Sequence, residues 1–231
     1  MESENALSVN ALSVNALSVN ALSVNALSVN GLQLDQGSTN LADTPEGREL
    51  LKYIARCALP AGIDLIAEVG GQTYTFPGRL GLTPEWADQP LSASGRRWMT
   101  ACLLAHTNYF GITVPISLRG ENSALATSSD ERATYPVPEA AFFGDLFADP
   151  PYTASCIAPH QSGDSPYLDL RVCAEPDGDA SMCGFGMAGY CGWSTVCALA
   201  GTDGHYRDCR LDSAMPRVSE VITVFLRDHE L

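Results

Sequence analysis

Ala6-Leu7-Ser8-Val9-Asn10 opens a run in which one five-residue unit is copied five times without change, through Asn30. Asn5 precedes it, and an altered copy, Gly31-Leu32-Gln33-Leu34-Asp35, follows. Five residues of α-helix advance about 500°, which leaves each new Leu about 140° from the last. Leu7, Leu12, Leu17, Leu22 and Leu27 therefore cannot share one helical stripe. A straight strand fails as well, because side chains alternate with period two and an odd repeat sends successive Leu residues to opposite faces. Within one copy, Leu and Val are two apart and share a face. A bend once per copy turns every pair inward: Leu7 with Val9, Leu12 with Val14, Leu17 with Val19, Leu22 with Val24, and Leu27 with Val29. Asn-Ala is the natural corner, since Asn tolerates turn dihedrals and bonds its own backbone.

This is the logic of a solenoid, and the arm resembles pentapeptide-repeat proteins, whose square right-handed coil takes four pentapeptides per turn. On that count the copies make about one and a half coils, while about three stacked units are the usual minimum for burying a repeat's apolar face. The arm is thus expected to stack on its own domain or on a second chain, the ten Leu and Val residues forming the assembly surface. The other reading is an extended low-complexity tether. Each copy is uncharged, β-branched and Pro-free, a composition that associates when left open.

The 231 residues fit an arm over 1–35, a linker over 36–43 and one domain over 44–231. A net charge of −14 with only 13 basic residues excludes nucleic acid and anionic membrane surfaces as natural partners. Eight cysteines, Cys57, Cys102, Cys156, Cys173, Cys183, Cys191, Cys197 and Cys209, include no C-x-x-C pair. They read as a disulfide framework from an oxidising compartment rather than a zinc ribbon. Their spacing leaves the pairing open. No run is long and apolar enough to span a membrane, and Met1-Glu2-Ser3-Glu4 reads as a start from which an export signal has been removed.

Thr44-Pro45-Glu46 predicts a helix start, with the helix running to about Ala58 and Leu50, Leu51, Ile54 and Cys57 on its apolar face. Ile63–Val69 and Gln72–Phe76 predict a hairpin about Gly70-Gly71. Residues 82–91 read as loop anchored by Trp86. Ser94 is the expected cap of a second helix ending near Phe110 before Gly111. Residues 112–118 read as a strand, with Pro115 marking an edge, and residues 120–135 as polar loop. Pro138 is expected to open a short helix through Phe147. Strands follow at 153–157, 168–173 and 221–227, around an irregular, stapled stretch at 176–210. Helices and strands mix without a βαβ rhythm, so the class is α+β.

Several stretches are similar to a family of uncharacterised exported proteins and predicted lipoproteins of myxobacteria and related bacteria, which carry Asn-Ala-Leu-x-x repeats before a Cys-containing domain. They are Asn5–Leu32, Arg56–Pro60, Gly81–Trp86, Ala101–Asn108 and Ala141–Phe147. The resemblance implies export and disulfides, and transfers no catalytic residue.

Chemistry candidates are few. Cys102 and His106 lie four apart on a predicted helix and so share a face. A Cys–His hydrolase needs its thiolate held by an imidazole, but in a chain of eight cysteines a disulfide such as Cys57–Cys102, tying the two long helices, is the preferred account of Cys102. His160 stands near Ser162-Gly163-Asp164-Ser165-Pro166, which resembles a trypsin-like nucleophile segment but lacks its second Gly. Glu175, Asp177, Asp179 and Ser181 alternate as oxygen donors suited to calcium, the one cofactor the sequence offers. The alternative there is a solvated acidic turn. Phe185, Tyr190, Trp193 and Tyr206 lie among Gly and Cys and would either line a binding surface or fill a small core.

The expectation is a secreted or cell-surface structural protein, non-enzymatic, whose residues 5–35 mediate self-association, filament formation or cell-envelope attachment. The alternatives are an extracellular hydrolase using a Cys/Ser–His site, and a precursor whose repeats are processed.

Overall fold

In the computed structural model, residues 1–5, 7–8, 41–108, 113–159, 185–199 and 202–228 are described. The repeat residues Val9, Leu12, Val14, Leu17, Val19, Leu22, Val24, Leu27 and Val29 lie outside them, as do His160, Ser162 to Ser165, the strand expected at 168–173, Cys173, Glu175, Asp177, Asp179, Ser181 and Cys183.

Helix α1 (Pro45–Ala58) begins as its sequence dictates. The Thr44 hydroxyl accepts from the Gly47 amide, and Pro45 fills the first turn. A side chain at Gly47 would collide with the Leu41 carbonyl, only 1.8 Å from its Cβ position. Leu50, Leu51, Ile54 and Cys57 are all fully buried. Strands β3 (Asp64–Val69) and β4 (Gln72–Pro77) form the expected hairpin, with Val69 opposite Gln72. Gly70 and Gly71 both take positive φ, 57° and 81°, as a two-residue hairpin turn of this hand requires. Trp86 is the anchor it was read to be, 1% exposed within a short 3-10 turn.

Helix α2 (Ala93–His106) is shifted from expectation. Ser92, not Ser94, caps it by accepting from the Gly95 amide, while Ser94 bonds Glu220. It stops at His106 because Thr107 is extended and leads into strand β5 (Thr107–Asn108). The first repeat copy meets the domain here. Strand β2 (Leu7–Ser8) pairs in parallel with β5, Leu7 opposite Thr107 and Ser8 opposite Asn108.

The main sheet has six strands in the order β1-β6-β12-β7-β8-β9. These are β1 (Glu2–Asn5), β6 (Val114–Arg119), β12 (Ile222–Leu226), β7 (Val137–Asp145), β8 (Tyr152–Ile157) and β9 (Gly186–Tyr190). Every neighbouring pair is antiparallel except β8 and β9. Strands β10 (Ala198–Leu199) and β11 (Tyr206–Arg207) form a separate pair. Helix α3 (Ser129–Thr134) is the third helix among the described residues. The fold is thus a mixed α/β arrangement cross-linked by disulfides.

Several expectations are corrected. The stretch 138–147 is not a helix: it supplies β7, buried on both faces at the middle of the sheet. Its unbroken apolar run has no period that separates a central strand from a buried helix. Pro138 is accommodated where the β8 ladder has not begun and where the β12 register slips between Val224 and Phe225. Pro115 does not mark an edge, since β1 covers β6 on that side. The β12 ladder reaches only Ser117–Arg119, so no donor is missed there. Residues 120–135 hold a 3-10 turn and α3 rather than loop alone. The stretch 186–190, expected to be irregular, is the edge strand β9.

The two faces of the sheet differ. Ala140 and Phe142 of β7 point to the helices, joining Ile116, Leu118, Ile222 and Val224 in the larger core. Ala141 and Phe143 point the other way, into a smaller core with Cys156, Cys191, Cys197, Cys209 and Val221.

Candidate functional site

On the helix side the structure brings Cys57, Cys102 and His106 together, and all three are fully buried. Cys57 and Cys102 are disulfide-bonded, tying α1 to α2, so Cys102 offers no thiolate. His106 Nδ1 lies 2.8 Å from the Cys102 carbonyl, which only an N–H can satisfy. Nε2 lies 2.8 Å from the Ser3 hydroxyl. The imidazole is held between a helix carbonyl and β1, with the Tyr53 ring 5.3 Å away. It has the form of a packing element rather than a base facing solvent.

The opposite face carries a polar network that local sequence patterns do not announce. Arg119, 3% exposed on β6, lies with its guanidinium 3.5 Å from the centre of the Phe225 ring. Its Nη1 donates to the Asp203 carbonyl (2.7 Å), its Nη2 to the Tyr135 carbonyl (2.5 Å) and its Nε to Ser117 Oγ (3.3 Å). Burial pulls the Arg119 pKa down to about 10, against the opposing pull of Asp203 and Glu131. Ser117 Oγ donates to Glu131 Oε1 at 2.9 Å, and the same oxygen holds the Met1 amine at 2.6 Å. That amine also donates to the Leu118 carbonyl at 2.9 Å, and burial lowers its pKa.

The network ends on a carboxylate–imidazole pair. Asp203 Oδ1 lies 2.5 Å from His205 Nδ1 across Gly204, whose φ of 80° makes the turn. The short contact places a hydrogen of His205 on Nδ1, donated to the carboxylate oxygen. The other ring nitrogen, Nε2, is buried and has no hydrogen-bond partner among the described residues. These are two parts of a Ser–His–Asp triad, with no hydroxyl bonded to Nε2 among the described residues. The Asp-Gly-His spacing was the one sequence signal for the pair.

The four aromatics of the Cys-rich half split into two roles. Phe185 packs edge-on against Phe142 in the larger core, and Tyr206 is buried in the smaller one. Tyr190 and Trp193 stay in solvent, 41% and 56% exposed, with ring centres 5.1 Å apart. Their turn is braced. Cys191 is disulfide-bonded to Cys156, the Trp193 carbonyl accepts from Val196 and Cys197, Arg217 Nη2 donates to the Ser194 carbonyl and Arg210 Nε to that of Thr195. An exposed Trp fixed in place presents apolar area at little cost in side-chain entropy.

Compared with known proteins, the chain matches no family model, no curated protein and no solved structure.

Proposed function

We propose that the protein is a structural and interaction protein, exported or displayed at a cell surface, whose repeat arm drives self-association or attachment. One observation carries this reading: two residues of the first repeat copy, Leu7 and Ser8, are already in a β-ladder. The chain leaves β1 at Asn5, and Leu7–Ser8 take a new partner, the parallel strand β5. A unit that pairs in parallel is suited to pair with an identical unit of another chain, and a contact that does not close on itself propagates.

The surroundings agree. The disulfides fit an oxidising compartment, and among the described residues no helix is long and apolar enough to cross a membrane. The resemblance to exported repeat proteins points the same way. The braced Tyr190–Trp193 pair adds a fixed apolar contact to the domain that the arm carries.

The test deletes residues 9–35, which leaves the ladders of β1 and β2 in place. Light scattering should show a monomer for the deletion variant and a larger, concentration-dependent mass for the full chain. Equal masses for the two would overturn the proposal.

A further inference from the structure

We infer that the reduced protein holds one tetrahedral zinc ion on the thiolates of Cys156, Cys191, Cys197 and Cys209. Cys156 is bonded to Cys191, and Cys197 to Cys209. Yet the sulfurs of Cys156 and Cys197, which belong to different bridges, lie only 3.4 Å apart. Those of Cys156, Cys197 and Cys209 all fall within 4.8 Å of one another. With a Zn–S bond of about 2.3 Å, sulfurs of a tetrahedral site stand about 3.8 Å apart. The non-bonded contact already has that scale, and Cys191, whose sulfur stands outside that group of three, must turn in from its bond to Cys156 as the pairs open.

The setting suits a soft cation. The four cysteines are buried, Cys197 the least so at 2% exposed. Phe143 and Val221 belong to the apolar shell around them, which excludes water and favours thiolate over oxygen ligands. Four thiolates on Zn²⁺ leave a charge of −2, and Arg210 and Arg217 clamp the adjoining turn. The backbone also presents the sulfurs from fixed elements: the Cys191 amide donates to Ile157, and Cys209 and Val218 exchange amide–carbonyl bonds.

The chemistry balances. A dithiol gives each disulfide two electrons and two protons, and leaves as a disulfide itself. The four thiols lose four protons as their sulfurs bind Zn²⁺. Reoxidation runs the steps backwards and releases the metal. One ion would thereby join the same elements as the two bridges.

The probe is Co²⁺, then Zn²⁺, added to the full chain reduced by a phosphine, which does not compete as a thiol. The expected result is one equivalent of Co²⁺ giving thiolate-to-cobalt charge transfer and the visible bands of tetrahedral coordination, with Zn²⁺ displacing it. C197S/C209S should abolish these bands, while C57S/C102S and C173S/C183S should keep them. Absence of the bands, or their loss only in C57S/C102S or C173S/C183S, overturns the inference. If reduction unfolds the chain, circular dichroism decides: refolding by one equivalent of zinc supports the site, and a chain that stays unfolded overturns it.

Discussion

The helix-covered face of the sheet and its opposite face are held together by different means. The first is closed by side chains of Leu, Ile, Val and Phe from α1, α2 and five strands, with one disulfide inside it. Among the described residues the second has no helix of comparable length over it. Its core is small, and it depends on two adjoining disulfides and on a buried guanidinium that satisfies two loop carbonyls. Where the chain supplies regular elements to bury, hydrophobic area suffices. Where it supplies turns, covalent bonds and charged hydrogen bonds substitute for area.

Removing both bridges of the second face is the most severe way to probe that contrast. They close loops of 35 and 12 residues, which on the loop-entropy account together contribute up to about 6 kcal/mol. With cysteines 156, 191, 197 and 209 all changed to Ser, hydrogen exchange should rise sharply across 186–218. The amides of α1 and α2 should stay protected. Equal loss on both sides would erase the distinction.

Phe142→Ala comes next. This side chain is fully buried on the helix face, and its truncation should cost about 3–5 kcal/mol in denaturant melts. That loss should be the same with the second-face bridges present or absent. A strong dependence on those bridges would mean the two faces behave as one unit.

The smallest effect joins the faces. Arg97 of α2 grips Glu220, just before β12, through Nε at 2.7 Å and Nη2 at 2.9 Å. Burial alone would raise the Glu220 pKa, but hydrogen bonds from Arg97, Ser94 and its own backbone outweigh it and hold the carboxyl below its ordinary value. The contribution is therefore present above the unfolded carboxyl pKa of about 4.3 and is lost as pH falls through the lower folded value. Wild type should exceed E220Q by about 1 kcal/mol at neutral pH, with the gap closing in acid. A gap that widens in acid would reverse the assignment.

The same contrast governs what a reader of the sequence can see. α1 and the β3–β4 hairpin announce themselves through Thr44-Pro45 and Gly70-Gly71, because caps and tight turns are local chemistry. Residues 140–147 mislead, since a strand covered on both faces loses its alternation. The start of α2 is ambiguous because two serines compete, and the choice rests on Glu220, far along the chain. The second-face network is less visible still. Arg119 finds its carbonyl partners 16 and 84 residues away, and the burial of His205 beside a half-buried Asp203–Gly204 turn follows from tertiary packing alone.

The way the repeat enters the domain has a mechanical side. Tension on the chain beyond Ser8 meets first the two residue pairs joining β2 to β5, and only then the four pairs joining β1 to β6. The shorter ladder should yield before the longer one, so a pull there would lengthen the exposed chain before it disturbed the main sheet.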